Sequence, residues 1–355
     1  MDSGISAAFS DRIRAAAAGK RALRLRGGGS KDFYGNAPRG DLLDTRGHSG
    51  VVAYEPTELV VTARCGTLLS ELEKILSGQG QILAFEPPGF GPAATLGGCV
   101  AAGLSGPRRA STGALRDFVL GAKILDGRGR PLGFGGQVMK NVAGYDLSRL
   151  LAGSLGTLGL ILEVSLKVLP RPRAELTLKL ELPQARALET VNRWAGQPLP
   201  ISASAWTEGD LALRLSGAES AIRAAAEKLG GEVLGAGEAE GYWAGIREQS
   251  DPFFAGEAPL WRLSLPSHAP QLELPGAQLI EWSGALRWLK TNAEAATVRA
   301  AAARAGGHAT LFRATDKSAG VFTPLPPAAA RLHRELKQVF DPAGIFNPGR
   351  LYPEF

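Results

Sequence analysis

The stretch Glu86-Pro87-Pro88-Gly89-Phe90-Gly91-Pro92-Ala93-Ala94-Thr95-Leu96-Gly97-Gly98-Cys99-Val100-Ala101-Ala102-Gly103 limits what this chain can become more than any other. Its prolines fix φ and disfavour helix at the residue before each, so the entry is extended. Thr95 then stands as the cap of a short helix that begins Leu96-Gly97-Gly98. A helix start presents unpaired N–H groups at the positive end of its dipole, which suits an anion. Two glycines on that first turn remove the β-carbons that would hold a phosphate away. They would serve tight packing equally well.

A second glycine stretch comes earlier. Leu23 to Arg26 reads as a strand, and Gly27-Gly28-Gly29-Ser30-Lys31 follows it. Such a run is either a flexible surface loop or a nest of consecutive N–H groups that binds an anion. Two glycine-lined anion sites in one chain suggest a diphosphate held from both sides, hence a dinucleotide. Neither stretch has the G-x-G-x-x-G spacing of a Rossmann site, and G-x-x-x-x-G-K-[ST] is absent, which argues against a P-loop.

At 355 residues the chain has room for about two domains. Its 40 basic and 34 acidic residues leave a charge of +6, scattered along the chain. No basic stripe carries aromatic platforms, so nucleic acid is not an expected partner. Residues 1–26 lack a signal-peptide core, and no stretch approaches the roughly 20 apolar residues of a spanning helix. The expected location is cytoplasmic. Cys65 and Cys99 match no C-x-x-C pattern, so neither a metal ribbon nor an iron–sulfur cluster is expected here.

In chain order, residues 10–18 read as a helix stopped by Gly19. Runs 50–54 and 59–64 read as strands, and Thr67 as the cap of a helix with Leu68, Leu69, Leu72, Ile75 and Leu76 on one face. Residues 118–125 form a strand closed by the hairpin dipeptide Asp126-Gly127. Residues 147–151 read as a short helix. From 159 to 169, Leu162, Val164, Leu166 and Val168 alternate with Glu163, Ser165 and Lys167, the pattern of a half-buried strand. Pro170-Arg171-Pro172-Arg173 is the best linker. The expected domains are therefore 1–172, with lobes 1–85 and 86–172, and 173–355. The runs 175–182, 184–194, 201–206, 211–215, 218–229 and 232–234 make a βαββαβ order, which suggests a ferredoxin-like layer. Residues 242–289 show aromatics without clear periodicity. A helix over 293–305, a strand over 308–313 and a helix over 327–340 follow, the last with Leu332, Leu336, Val339 and Phe340 inward.

These residues resemble a known family. Arg26-Gly27-Gly28-Gly29-Ser30, Ala94-Thr95-Leu96-Gly97-Gly98, Gly113-x-x-Arg116-Asp117-x-Val119-Leu120-Gly121, Lys140-Asn141-x-x-Gly144-Tyr145-Asp146-Leu147 and Gly153-Ser154-x-Gly156-Thr157-Leu158-Gly159-x-Ile161 look like the PCMH-type FAD-binding domain of the vanillyl-alcohol oxidase family. Phe340-Asp341-Pro342-x-Gly344-Ile345-Phe346-Asn347-Pro348-Gly349-Arg350 resembles the tail of FAD-linked 2-hydroxy-acid oxidoreductases. Closer still, Glu86-Pro87-Pro88, Gly106-Pro107-Arg108-Arg109, Phe134-Gly135-Gly136 before Val138-Met139-Lys140, and Ala305-Gly306-Gly307-His308-Ala309-Thr310 resemble the GlcE family of bacterial glycolate oxidase subunits. The resemblance implies an α+β fold: a PCMH-type domain of two α/β lobes, then a ferredoxin-like FAD-linked oxidase C-terminal domain whose tail, 341–355, returns towards the flavin.

It also implies FAD as the cofactor. Gly27, Gly28, Gly29, Ser30 and Lys31, with Thr95, Leu96, Gly97 and Gly98, would hold the diphosphate through backbone amides. Gly159, Leu160 and Ile161 would meet the adenine end, and Asn347 would lie near the isoalloxazine ring. Pro88, Gly113, Arg116, Asp117, Gly144 and Tyr145 complete the implied cofactor set. Some relatives attach flavin to a histidine beside the first glycine loop. Here Ser30 and Lys31 stand there, so the implied attachment is non-covalent.

Oxidising a 2-hydroxy acid needs a cation for the carboxylate and a base for the hydroxyl. His308, Arg313 and Lys140 are the candidates, each of which could instead be structural. Catalytic dehydrogenases of this group carry a G-H-x-G-D-G-N-x-H run. The comparable place here reads Gly307-His308-Ala309-Thr310-Leu311-Phe312-Arg313, and the four histidines have no metal-ligand spacing. The resemblance therefore implies a flavin subunit beside a catalytic FAD subunit and an iron–sulfur subunit, with glycolate as the substrate of the whole. Through those partners it could sit at the inner face of the membrane. A self-sufficient FAD-dependent hydroxy-acid dehydrogenase and a scaffold with an empty groove are the alternatives.

Overall fold

The computed structural model describes residues 2–136 and 146–355. The chain divides into two compact units, Met1–Leu104 with Ala114–Pro170 and Pro324–Phe355, and Ser105–Gly113 with Arg171–Thr323.

The first unit opens with α1 (Asp2–Ala18), after which β1 (Leu23–Arg26) pairs in parallel with β2 (Asp41–Asp44). Then come β3 (Val51–Glu55), β4 (Val60–Arg64), α2 (Leu69–Ser77), β5 (Gln81–Ile82) and α3 (Leu96–Ala102). The chain passes through α4 (Arg109–Thr112) in the second unit. It returns as α5 (Leu115–Phe118), β6 (Val119–Leu125), β7 (Pro131–Gly135), β8 (Leu160–Lys167) and β9 (Leu169–Pro170). Five strands form one antiparallel sheet in the order β3-β4-β8-β6-β7, so it draws on both sides of residue 85.

Several expectations for this unit are corrected. Strand β8 lies between β4 and β6, and on its polar side Glu163 and Lys167 stay partly exposed while Ser165 does not. Ser165 is buried, and its hydroxyl meets Thr62 Oγ1 at 2.8 Å. Thr67 does not cap α2. The cap position is Leu68, while Thr67 Oγ1 accepts from the Gly50 amide at 2.9 Å and so serves the start of β3. On α2, Leu69, Leu72 and Leu76 are buried, but Ile75 points outward. The core gathers these leucines with Leu96, Val100, Leu115, Val164 and Leu166 around Phe85 and Phe118, whose rings lie 5.2 Å apart.

Both cysteines are buried and reduced, Cys65 beside β4 and Cys99 inside α3, and burial pushes each thiol up to about 12. At pH 8 only about 10⁻⁴ of either would be thiolate, the reactive form. A chromogenic disulfide reagent should therefore find no thiol in the native protein and two after denaturation. Rapid native labelling would contradict this packing.

The second unit begins β10 (Ala174–Glu181), α6 (Gln184–Ala195), β11 (Ile201–Thr207), β12 (Asp210–Gly217), α7 (Glu219–Leu229) and β13 (Glu232–Val233). This is the expected βαββαβ run, with its strands in the order β13-β10-β12-β11. The layer does not stop there. After α8 (Ala236–Glu248) come β14 (Leu260–Ser264), β15 (Ala277–Glu281), β16 (Leu286–Lys290), α9 (Ala295–Arg304) and β17 (His308–Arg313). Strand β15 pairs with β11 through Trp206↔Ile280, extending the sheet to eight strands by β15-β16-β14-β17. The segment Ser105–Gly113 is tied into this unit by specific bonds. Trp282 Nε1 donates to the Gly106 carbonyl (3.0 Å), and Arg108 Nη2 meets Glu175 Oε1 (2.7 Å).

Helix α10 (Pro327–Phe340) belongs to the first unit. Phe340 is buried and Leu336 packs against the core as expected, but the rest of its inward face is not the one its apolar residues suggest. Leu332 and Val339 are 55% and 65% exposed, while Lys337 and Phe340 are buried. A lysine paired with a carboxylate occupies the inward position that polarity alone would assign to solvent.

Candidate functional site

Strand β1 runs straight into Gly27–Lys31, and these residues wall a groove of about 580 Å³ in the first unit. Thr95, Gly98 and Asn347 complete its opposite side. Among the described residues, no hydrogen bond engages the amides of Gly27, Gly28, Gly29 or Ser30. Gly29 has φ +76°, the left-handed backbone that lets a short loop turn its N–H groups to one side. Arg24, Arg26, Lys31 and Arg350 also line the groove, against the single carboxylate of Asp32. That carboxylate bridges the first two, at 2.6 Å from Arg24 Nη2 and 2.9 Å from Arg26 Nε. Arg350 donates to the Asp32 carbonyl (2.9 Å) and to that of Asn36, so the chain's tail fastens the loop. Burial pushes its guanidinium down to about 10 against the pull of Asp32, and it stays charged at neutral pH. Four cationic residues along the groove, two of them paired to one carboxylate and Lys31 donating to the Gly89 carbonyl, stand beside four open amides and make a site for a dianion.

The glycines of this wall do different jobs. A β-carbon on Gly27 would strike Thr95 Oγ1, and one on Gly28 the Ala93 carbonyl. These two let two stretches of backbone meet. Gly97 is likewise a packing glycine, its absent β-carbon lying 2.6 Å from Cys65 Cβ. Gly98 differs: a β-carbon there would meet only Thr95 Oγ1, at 3.3 Å, and would otherwise enter the groove.

The first turn of α3 does not offer the open amides expected of it. Leu96 N donates to Thr67 O and Gly97 N to Cys65 O, each at 2.8 Å, and Gly98 N reaches its cap Thr95 Oγ1 at 3.4 Å. The Leu96 side chain is in the core. On this side the groove is shaped by Gly98 and Thr95, and the open amides come from the first loop.

A second cavity of about 390 Å³ shares Leu25, Arg26, Gly27, Gly98 and Asn347 with the groove. Gly159, Leu160 and Ile161 line it, as expected, together with Gly97, Thr45, Cys65 and Gly156. Asn347 stands where the two meet. Its amide donates to Leu23 O (2.9 Å), its Oδ1 accepts from Leu25 N (2.9 Å) and its Nδ2 donates to Leu155 O (2.7 Å).

The other expected residues are not brought to these cavities. Pro88 is buried outside both, Gly113 ends α4, Arg116 is exposed, and Asp117 Oδ2 accepts from the Ala114 amide (2.8 Å) at the start of α5. Gly144, Tyr145 and Lys140 lie outside the described residues. His308 and Arg313 begin and end β17, so at about 3.3 Å per residue their Cα atoms stand roughly 16 Å apart. Neither lines the groove or the cavity beside it. His308 is exposed, with its pKa lowered by partial burial and by the Arg262 charge. Arg313 Nη2 donates to Gln249 Oε1 (3.0 Å). Among the described residues no three His, Cys, Asp or Glu side chains could share a metal ion. The sequence reading did not single out Arg24, Asp32 or Leu155 as site residues. The alternation of arginines along β1 was the available signal.

Comparison with known proteins places these features. Residues 6–135 match the FAD binding domain family, and 314–351 match the C-terminal domain of FAD linked oxidases. Glycolate oxidase subunit GlcE of Escherichia coli strain K12 is 51% identical over 349 residues, covering 98% of each chain. The chain belongs to the GlcE family. Glycolate oxidase subunit GlcD of Bacillus subtilis strain 168 is 30% identical over 155 residues, 43% of this chain and 33% of that one. A D-lactate dehydrogenase of Anaerostipes hadrus is 35% identical over 128 residues, 36% of this chain and 26% of that one. Among solved structures, alkyldihydroxyacetonephosphate synthase superposes with a TM-score of 0.65 at 16% identity, over 96% of this chain and 74% of that one, and so shares its fold. The α+β architecture is thus an FAD-binding PCMH-type domain joined to an FAD-linked oxidase C-terminal domain. No helix among the described residues is long and apolar enough to cross a membrane.

Proposed function

We propose that this chain is the FAD-binding subunit of a glycolate-oxidising complex, in which glycolate becomes glyoxylate and electrons leave through flavin to an iron–sulfur partner. The observation that carries it is the groove of four open amides and four cationic residues, in a chain related end to end to a glycolate oxidase subunit. The groove residues fit FAD: Gly27 to Ser30 would hold the diphosphate by their amides, Arg26 and Arg350 would balance its charge, and Gly98 leaves room for it. Leu160, Ile161 and Gly159 would receive the adenosine end in the adjoining cavity. FAD held here would supply two-electron redox chemistry, receiving electrons from the partner that oxidises the hydroxy acid and passing them on.

Attachment is non-covalent in this reading. The thiol lining the second cavity, Cys65, is held protonated by burial, and no histidine lines either cavity among the described residues. The absence of His308 and Arg313 from both cavities, with the G-H-x-G-D-G-N-x-H run incomplete, supports a subunit that relies on a catalytic partner rather than one that oxidises glycolate alone. The domains read from the sequence, 1–172 and 173–355, would correspond to the FAD-binding and oxidase C-terminal parts, with 324–355 contributed to the first compact unit and 105–113 to the second, and a partner would supply any hold on the inner face of the membrane.

Acid precipitation of the purified chain should release yellow flavin into the supernatant. Glycolate should bleach that flavin only after the neighbouring subunits are co-expressed. Bleaching of the isolated chain would overturn the subunit reading, and a colourless chain, alone and assembled, would overturn the cofactor assignment.

A further inference from the structure

One buried ion pair carries the backbone on both sides of the groove's innermost wall. Lys337 Nζ lies 2.7 Å from Asp341 Oδ2 and donates to the carbonyls of Thr157 and Phe346, each at 2.8 Å. Its three protons are thereby spent. Asp341 accepts in turn from the amides of Ile345 (3.1 Å) and Phe346 (2.7 Å). Lys337 is 8% exposed and Asp341 1%. Two charges withdrawn from water in this way rarely gain net stability over an apolar pair of similar volume. Their specific effect is geometric.

The two carbonyls held by Lys337 are not arbitrary ones. Thr157 directly follows Gly156, whose absent β-carbon would stand 2.7 Å from Asn347 Nδ2, and Phe346 directly precedes Asn347. Asn347 closes the same ring from the other side by its bond to Leu155 O. It does so at φ +40°, in the left-handed region that asparagine enters more readily than most residues. The single ammonium thus sets the distance between the Leu155–Thr157 loop and the tail, and Asn347 lines both cavities.

We propose that Lys337 and Asp341 are positioning residues for the cofactor: without touching FAD, they fix the spacing of the Leu155–Thr157 loop and Asn347 and so set how tightly FAD is held. This rests on the assignment of the groove to FAD. A loop released by about 1 Å is enough to weaken a preorganised site severely.

The test uses full-length protein stripped of flavin, with FAD titrated back by fluorescence quenching. The double variant Lys337→Met/Asp341→Asn removes both charges together, so neither is left buried alone. It should unfold, without FAD, within a few degrees of the wild type, yet bind FAD about tenfold or more weakly, and the visible circular dichroism of its residual bound flavin should change. Lys337→Arg, which keeps the charge and donors, should recover part of the affinity. An unchanged FAD affinity in the folded double variant overturns the proposal. So does a loss of affinity that merely follows a large loss of FAD-free stability, because the pair is then only a structural brace. If Gly98→Leu leaves FAD binding intact, the groove assignment itself fails and takes the proposal with it; if Gly98→Leu abolishes binding and the double variant does not, only the positioning role fails.

Discussion

Gly98→Leu is expected to give a folded, colourless protein. Gly98 lies in α3 with ordinary helical backbone, and a β-carbon there would meet one atom, Thr95 Oγ1, at 3.3 Å. Replacing a helical glycine gains roughly 0.5–1 kcal/mol of helix propensity, so the local structure should persist. The three carbons beyond Cβ have only the groove to enter, at the place where it joins the second cavity. Those atoms would stand where the cofactor must lie, and the dissociation constant for FAD should rise by at least about 100-fold, some 2.7 kcal/mol. Circular dichroism should match the wild type stripped of flavin, and acid-released flavin should fall to background. A yellow, folded Gly98→Leu protein would mean that FAD binds elsewhere.

Gly28→Ala should do the reverse, damaging the fold before the site. Its β-carbon would be driven into the Ala93 carbonyl, and that obstacle is backbone, with no rotamer to turn aside. Overpacking against a fixed wall costs about 3 kcal/mol or more, which should lower the unfolding temperature of the FAD-free protein by at least about 5 °C. Gly27→Ala is the informative neighbour. Its β-carbon meets the Thr95 hydroxyl, which can rotate at the expense of its weak cap on Gly98, a loss of about 1 kcal/mol. Gly133→Ala, with nothing within 4 Å, is the control and should be silent. Equal effects at positions 27, 28 and 133 in thermal melts would show that packing between the two glycine stretches is not what these residues provide.

Much of the architecture was readable because it is written locally. The strand before the glycine run, the Thr95 cap, the hairpin at Asp126-Gly127 and the βαββαβ run follow from turn chemistry and periodicity, and each is present. Local pattern failed where the facing neighbour was remote. Leu332 and Val339 looked inward by spacing, but the docking of α10 is set by Lys337, whose acceptors include Thr157, 180 residues away. Ser165 looked solvent-facing until β4 and β6 closed on β8. The strands between residues 260 and 290 carry large aromatics on a long, mostly buried sheet, and burial on both sides erases the alternation that would have announced them.

The site divides the same way. From the amino-acid order alone came the glycine loop and the glycines of α3, because each depends on a residue that lacks a β-carbon, whereas Leu160, Ile161 and Asn347 came from the family resemblance. Only the folded chain decided which glycines face the groove and which face each other, that the Leu96 and Gly97 amides are already taken by Thr67 and Cys65, and that Arg350 reaches back to the loop after β1. Those outcomes depend on contacts between segments well separated along the chain, and a side chain's solvent, partner or ligand is settled only when such segments meet.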